Sequence, residues 1–353
     1  MDQTKDITIP QRAAEKITLT DSKPKGTFEA RYLAFLDTVT DLRPKLHRYC
    51  ARMTGSVFEG EDVVQDALLE AYRKLDQFDD TRPLSPWLFR IAHNRCIDLL
   101  RHRNAGRQAA AKAIGPKATM PIEPASLGIG KAVEHLVLTL PPKERACVLL
   151  KDVFDYTLEE IAELVESTVG GVKAALNRGR SKLAASPAPL KQSPTADPEL
   201  TRVLHLYVER FNNRDWNGLR ELISADARLN VTDRMPTITA FAGKLADSPY
   251  FSNYERWSTP WKMAVGEVDG EPVVLILQRS GETWTPYSAV RLRVTNNCID
   301  RIVDYAHCPW VLEPATLTAL PTSSAALYGD VETGSENSGQ HGLLLEVRGA
   351  KNP

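Results

Sequence analysis

Between Tyr156 and Leu183 the sequence fits two short amphipathic helices that only about three residues separate. Thr157 followed by Glu160 has the spacing of a capping box, which marks the start of the first helix. Apolar residues then recur every three to four positions, as one face of a helix requires. The first stripe is Leu158, Ile161, Ala162 and Val165, and the second is Val169, Val172, Leu176, Gly179 and Leu183. Two helices joined so tightly must cross steeply, which predicts a helix-turn-helix.

Charge separates these two predicted helices. Residues 155–166 include five acidic residues and no basic one, whereas residues 169–185 include four basic residues and no acidic one. Lys173, Asn177 and Arg180 recur at helical spacing on the side away from the apolar stripe. A helix with such an outer face can enter a major groove, so we predict DNA binding. The alternative is a helical hairpin with a solvated basic face.

Two more helices are predicted upstream, over residues 61–78 and 86–103. Their charges are also opposite, because residues 59–80 carry eight acids and two bases, whereas residues 87–112 carry six bases and one acid. An acidic helix is repelled from DNA and should face a protein partner or solvent. The adjoining basic helix should face nucleic acid. The pattern indicates two DNA-contacting modules joined by a tether.

Composition divides the rest of the chain. Alanine, glycine and proline interrupt the helical pattern at 105–131, which predicts a linker, and four prolines mark a second linker at 186–198. Over residues 199–316 one amphipathic helix precedes strand-like runs with Asp269-Gly270 and Asn296-Asn297 as turns, which predicts a helix on a curved antiparallel sheet. We expect a disordered N-terminus over residues 1–27 and a flexible tail over residues 317–353.

The overall composition excludes several classes of protein. The 353 residues carry 44 basic and 45 acidic side chains, which are ordinary globular values. No apolar run approaches the roughly 18 residues that span a bilayer, and no secretion signal is seen, so we expect a cytoplasmic protein without a membrane partner. The five cysteines should be reduced thiols, and a metal site of Cys298, His307 and Cys308 is the less favoured alternative. We expect no cofactor.

Three motifs resemble those of extracytoplasmic-function sigma factors of the sigma-70 family. The sequences EDVVQDALLEAY and LDQF, at 61–72 and 75–78, resemble regions 2.1–2.2. The sequences PWLFRIAHN and IDLLR, at 86–94 and 97–101, resemble regions 2.3–2.4. The sequence LPPKER at 140–145, together with the helix-turn-helix, resembles region 4. The resemblance covers residues 28–185 and implies region 2 over residues 28–104 and region 4 over residues 132–185.

The resemblance implies a subunit that binds core RNA polymerase, recognises two promoter elements and initiates transcription at the nucleoid. It implies a polymerase set, docked on the β′ clamp helices, of Asp62, Gln65, Asp66 and Glu70. The implied minus-ten set, where strands separate, is Arg90, His93, Asn94 and Arg101. The implied minus-thirty-five set is Thr168, Lys173, Asn177, Arg178 and Arg180. The β flap of the polymerase and promoter DNA complete the implied partners. Three positions depart from the family pattern: Glu166, Ser167 and Ala175.

The C-terminal part resembles a SnoaL-like domain of the nuclear-transport-factor-like superfamily, through FNNRDW at 211–216 and SADARL at 224–229. The expected fold is therefore two all-α sigma domains followed by an α+β cone-shaped domain. Some relatives of this domain are enzymes, but the acid–base candidates Asp233, Asp304 and His307 have no spacing that makes them converge, so catalysis is not expected. The hypothesis is that this domain regulates the sigma domains in cis. Whether its pocket binds a small ligand is left open by the sequence.

Two alternatives to this hypothesis stay open. The first is a ligand-sensing helix-turn-helix regulator that binds DNA without polymerase. The second is an enzyme whose C-terminal pocket does chemistry, with the DNA-binding part as a scaffold. The acidic segment at 59–80 disfavours the first, because a simple repressor needs no such docking surface.

Overall fold

Three long helices form the first helical domain: α1 (Phe28–Thr54), α2 (Val57–Arg73) and α3 (Leu84–Ile114). The computed structural model describes residues 28–79, 81–114, 131–185, 197–232, 245, 248–315 and 317–319. Ser56 begins α2, since its hydroxyl accepts a hydrogen bond from the Glu59 amide at 3.4 Å. A β-carbon at Gly60 would lie only 2.5 Å from the backbone nitrogen of Ala51, so glycine allows α1 and α2 to pack backbone against backbone.

The second helical domain contains α4 (Lys131–Thr139), α5 (Pro142–Val148), α6 (Leu158–Leu164) and α7 (Val169–Ala185), with one π-helical turn at Leu149–Val153. The predicted capping box is confirmed. The Thr157 hydroxyl accepts from the Glu160 amide at 3.2 Å, and the Glu160 carboxylate accepts from the Thr157 amide at 2.7 Å. The helix-turn-helix is therefore present as α6 and α7. Its turn holds Glu166 at a φ of 49°, a left-handed conformation at one of the positions that depart from the family pattern.

The C-terminal domain contains α8 (Pro198–Asn212), α9 (Trp216–Glu221) and the short α10 (Tyr250–Asn253). Its strands are β1 (Ile223–Val231), β2 (Trp261–Val268), β3 (Glu271–Ser280), β4 (Thr283–Thr295), β5 (Cys298–Asp304) and β6 (Leu317–Ala319). They form one sheet in the order β1-β5-β4-β3-β2-β6, and α8 packs on one of its faces. The expected α+β architecture is thus observed.

Local turn chemistry explains the hairpins of this sheet. Asp269-Gly270 joins β2 to β3, and Asn296-Asn297 joins β4 to β5, with all four residues at positive φ, as tight hairpin turns require. The expected all-antiparallel pairing is wrong at one edge, because β1 runs parallel to β5. Three intervening strands supply the long crossover that a parallel pair needs.

Two expected boundaries also differ from the structure. The helix expected to end at 103 continues as α3 to Ile114, over an alanine-rich stretch with high helix propensity. The tail expected from residue 317 begins as β6, which pairs with β2 and satisfies backbone groups at that edge. The expected disordered N-terminus at 1–27, most of the proline-rich linker and residues 320–353 lie outside the described residues.

The two helical domains share one apolar core instead of lying apart on a tether. The Phe154 ring lies 5.9 Å from Tyr49 and 6.4 Å from Phe89, both in the first helical domain. Arg145 of α5 crosses the same boundary, because its guanidinium donates to the Met53 carbonyl and, at 3.0 Å, to the Leu140 carbonyl. The described helices of the first and second helical domains therefore form a single packed unit.

A separate apolar cluster joins the first helical domain to the C-terminal domain. The Phe58 ring of α2 lies 5.1 Å from Tyr305, and the Arg291 guanidinium stands 4.7 Å from the centre of the same ring. The buried members are Ala51, Val57, Phe58, Val268, Val273, Leu275, Ala289, Tyr305, Cys308, Val311 and Leu312. The outer face of the sheet thus packs on the start of α2.

Candidate functional site

The predicted minus-ten set lies on α3, but its members differ in exposure. Asn94 and Arg101 are exposed and Arg90 is partly exposed. His93 is 5% exposed, and its Nδ1 lies 2.8 Å from the Tyr49 hydroxyl. Burial lowers the pKa of His93 to about 4, so the ring is neutral near pH 7. In this conformation His93 belongs to the core, and its contact with DNA stays a prediction.

A groove of about 480 Å³ lies beside Arg90. Its floor includes Trp87, whose ring lies 4.8 Å from that of Phe78. Glu160 and Glu163 of α6 line the same groove. The surface expected to receive the minus-ten element therefore faces the acidic helix of the helix-turn-helix.

The predicted minus-thirty-five set lies on and just before α7. Lys173 and Asn177 are exposed, as the helical spacing predicted. The Thr168 hydroxyl accepts a hydrogen bond from the Gly171 amide at 3.0 Å and so caps the helix. Two members already have acidic partners in their own domain: Arg178 pairs with Glu144 at 3.0 Å, and Arg180 with Asp152 at 2.5 Å.

The predicted polymerase set runs along α2. Glu70 pairs with Lys74 at 2.5 Å and Arg95 at 2.7 Å, and the hydrogen bond from Lys74 is the main reason that its pKa is lowered. Asp66 is exposed and Gln65 is half-buried. Asp62 stands at the boundary with the C-terminal domain, in a cleft on the outer face of the sheet. One end of this set is therefore next to the C-terminal domain.

A buried charged cluster beside this set was not predicted from the sequence. Glu61 is fully buried and pairs with Arg43 at 2.5 Å and His47 at 3.1 Å. The Trp310 indole of the C-terminal domain donates to the same carboxylate at 3.2 Å. Burial raises the pKa of Glu61, but Arg43 and His47 outweigh it and hold the pKa at about 2. No local pattern identified this site, because Arg43 and His47 share α1 whereas Glu61 and Trp310 come from two other segments.

The two acid–base candidates that the structure describes in the C-terminal domain, Asp304 and His307, do not form an open catalytic pair. Asp304 is buried and accepts hydrogen bonds from the hydroxyls of Tyr250 at 2.7 Å and Tyr254 at 2.5 Å, and burial raises its pKa. His307 is exposed, and Asp233 lies outside the described residues. The tyrosines enclose the Asp304 carboxylate, so this group is a structural hydrogen-bond acceptor here.

The alternative metal site of Cys298, His307 and Cys308 is wrong, because β5 separates the first cysteine from the other two residues. Cys298 begins β5, whereas His307 and Cys308 follow its end, about 20 Å away at roughly 3.3 Å per residue. The Cys308 thiol is buried and donates to the Thr232 carbonyl at 3.5 Å. Within the part of the chain that the structure describes, no group of three or more His, Cys, Asp or Glu residues could hold a metal ion.

Comparison with known proteins gives the family. Residues 38–106 match the Sigma-70 region 2 family, and residues 130–183 match the Sigma-70, region 4 family. The chain is 34% identical to the ECF RNA polymerase sigma factor SigW of Bacillus subtilis (strain 168) over a match of 162 residues that covers 42% of this chain and 87% of that protein. The chain belongs to the ECF RNA polymerase sigma factors.

The likeness to a second sigma factor extends further. The ECF RNA polymerase sigma factor SigG of Mycobacterium tuberculosis is 27% identical over a match of 295 residues that covers 74% of this chain and 77% of that protein. This share exceeds the two matched regions, so the likeness continues into the C-terminal domain. A crystal structure of M. tuberculosis SigJ superimposes with a TM-score of 0.31 at 16% identity, covering 78% of this sigma factor and 97% of that chain. A likeness at this level adds nothing to the assignment.

Family membership gives this sigma factor the general role of an RNA polymerase specificity subunit, which is not itself a catalyst. Its two helical domains correspond to regions 2 and 4. No helix in the described segments of this sigma factor is long and apolar enough to cross a membrane.

Proposed function

We propose that this chain is a promoter-specificity subunit held in a closed conformation by its own C-terminal domain. The contact between the C-terminal domain and the start of α2, where Trp310 meets Glu61 and Tyr305 meets Phe58, carries this proposal. Asp62, the first member of the polymerase set, adjoins that contact. A clamp helix approaching this end of α2 would meet the C-terminal domain.

The packing of the helical domains supports the closed state. The minus-ten and minus-thirty-five elements lie about 25 base pairs apart, which is about 85 Å of duplex at roughly 3.4 Å per base pair. Two domains that share one apolar core cannot reach both elements. Promoter recognition therefore requires the contacts of Phe154 and Arg145 with the first helical domain to break.

The position of the promoter-binding sets supports the same proposal. Glu160 and Glu163 line the groove beside Arg90, where phosphates of the minus-ten element would be repelled. His93 is buried against Tyr49. The outer face of α7 stays accessible in the closed state, so we propose that Lys173 and Asn177 bind duplex DNA.

Opening needs a free-energy source. Core polymerase and promoter DNA bind the open form alone, so they shift the equilibrium by their differential affinity. A change from one open molecule in a hundred to ninety-nine in a hundred needs about 5.5 kcal/mol. The C-terminal domain sets how much of that free energy binding must supply.

Run-off transcription with bacterial core polymerase on a promoter library tests the proposal. The full chain, a chain that ends at Ala185 and the full chain with Trp310→Phe are compared. We expect transcription that depends on this protein and a higher yield from the two altered chains. If all three chains give the same yield, control by the C-terminal domain is wrong. If none transcribes or binds core polymerase, a polymerase-independent DNA-binding regulator is the better hypothesis.

A further inference from the structure

A cleft of about 250 Å³ lies where α2 meets the outer face of the C-terminal sheet. Its polar lining is Asp62, Asn230, Glu271, Arg291, Arg293 and Arg301. All but Asp62 come from the C-terminal domain, so the arginines share one sheet whether or not α2 is docked. The volume is below the roughly 300–1,000 Å³ of pockets for drug-sized ligands, which suits a small group.

The strand register places like charges side by side along this cleft. Arg293 of β4 and Arg228 of β1 both pair directly with Arg301 of β5. Three arginines thus lie in a row across three adjacent strands. Like charges in directly opposite positions destabilise a sheet, so this row costs stability unless an anion compensates it.

The carboxylates of the sheet compensate only part of the row. Asp300 pairs with Arg293 of the row at 2.8 Å, and Glu271 pairs with Arg291, which lies beside the row, at 2.7 Å. Among the described residues no carboxylate lies within ion-pair distance of Arg301. Its Nε is buried without a hydrogen-bond acceptor, and its Nη2 donates at 3.1 Å to the Asn230 amide oxygen once that amide is oriented to satisfy both neighbours. The half-buried Arg301 guanidinium therefore has a buried Nε–H with no acceptor and no carboxylate beside it to balance its charge.

Asp62 is a carboxylate of the cleft that Arg301 acts on electrostatically, and it is a poor substitute for that anion. Atoms of both domains crowd its carboxylate, although solvent still reaches it. This burial raises the pKa of Asp62 to about 6, against the opposing effect of Arg291 and Arg301. The charged carboxylate is thus poorly stabilised where it stands.

We propose that this cleft binds the phosphate group of a small phosphorylated molecule, which takes the place of the Asp62 carboxylate beside Arg291 and Arg301. Planar guanidinium forks match phosphate oxygens in two-point hydrogen bonds, which a single carboxylate held on another domain cannot equal. Because the phosphate and Asp62 compete for the same arginines, binding loosens the contact between α2 and the C-terminal domain. The phosphate site rests on the cleft alone; only its consequence for transcription rests on the closed-state proposal.

Calorimetric titration of the full chain with inorganic pyrophosphate tests the site, with sodium sulfate at matched ionic strength as the reference. We expect saturable binding of one pyrophosphate. Arg301→Gln should weaken the affinity for pyrophosphate about tenfold. Arg301→Lys keeps the positive charge and disturbs the fold less, so it should weaken the affinity by a smaller factor. Asp62→Asn should tighten binding because the competing carboxylate is removed. The matched control is Arg279→Gln, an exposed arginine on β3 outside the cleft, which should leave the affinity unchanged.

The loosened contact has its own readout. In protein labelled with 5-fluorotryptophan, the fluorine resonance of Trp310, assigned with Trp310→Phe, should shift as pyrophosphate binds to the full chain. Unsaturable binding, or equal losses in Arg301→Gln and Arg279→Gln, would overturn the proposal. So would binding of a single-stranded oligonucleotide through Arg301 without binding of pyrophosphate, since the surface would then serve nucleic acid. None of these measurements uses polymerase, so they stand apart from the test of promoter specificity.

Discussion

The Trp310 indole of the C-terminal domain donates its Nε1–H to the Glu61 carboxylate of α2 at 3.2 Å, across 249 positions of sequence. Glu61 is buried and already holds Arg43 and His47. The C-terminal domain therefore completes the hydrogen bonding of a charged group inside the first helical domain. Breaking this contact removes one hydrogen-bond donor from a buried carboxylate, which is why the two domains are coupled.

Removing the donor should release the C-terminal domain. Trp310→Phe keeps an aromatic ring but loses a hydrogen bond to a charged acceptor, at a cost of about 1.5–3 kcal/mol. We expect faster hydrogen exchange of the α2 amides by about tenfold or more. Trp284→Phe, on β4 outside this contact, is the control. Equal exchange rates in the two variants would contradict a docking role for Trp310.

Arg145 should hold the two helical domains together. Arg145→Met removes the donor to the Met53, Val137 and Leu140 carbonyls and leaves buried acceptors unpaired, each at about 1–3 kcal/mol. We expect a larger radius of gyration by small-angle X-ray scattering. The exposed neighbour Lys143, changed to Met, should leave the radius unchanged. A compact Arg145→Met chain would show that the apolar core alone closes the domains.

Burial of His93 predicts a pH dependence of stability. Its folded pKa of about 4 lies below the unfolded value of roughly 6.5, so the unfolded chain binds the proton more readily. Its contribution is complete above pH 6.5 and is lost as the pH falls towards 4, by about 3 kcal/mol in all. Urea unfolding of the wild type and of His93→Gln gives the free energy of unfolding at each pH. Below pH 6.5 we expect this free energy to fall more steeply with falling pH in the wild type than in the variant. Parallel curves would mean that His93 is exposed in solution.

Two helix glycines should respond oppositely to alanine. Gly60→Ala drives a methyl group into the backbone of Ala51, so we expect a loss of about 1–3 kcal/mol in the free energy of unfolding. Gly106 has no atom within 4 Å of a β-carbon position, so Gly106→Ala should stabilise α3 by up to about 1 kcal/mol. Thermal unfolding of both variants and of the wild type measures the two changes in stability. A neutral Gly60→Ala would mean that α1 and α2 can separate at little cost.

The exposed face of α7 should set affinity for duplex DNA. Lys173→Ala should weaken binding to all sequences alike and lower the slope of log affinity against log salt by about 1, as loss of one phosphate contact does. Asp152→Asn should strengthen binding, because it frees Arg180. Lys143→Ala is the control. Fluorescence anisotropy over a salt series measures both effects, and an unchanged slope for Lys173→Ala would remove that residue from the phosphate contacts.

Local sequence determined the elements of this protein because their causes lie within a few residues. The capping box of Thr157 and Glu160, the helix-turn-helix stripes and the hairpin turns at Asp269-Gly270 and Asn296-Asn297 depend on spacing and backbone preference alone. The same short range explains why α3 was predicted too short. A composition change at 105 looked like a linker, although its alanines continue the helix to Ile114.

Tertiary structure alone decided which predicted residues are accessible and which are held by partners. His93 has the spacing of a surface residue at the DNA-binding edge of α3, yet it bonds Tyr49, 44 positions away. Arg145 meets Met53 across 92 positions, and Glu61 meets Trp310 across 249. Helical periodicity reports a residue's neighbours at three or four positions and carries no information on which distant segment packs there. The closed arrangement follows from burying apolar faces of three domains together, a global packing outcome that no local pattern encodes.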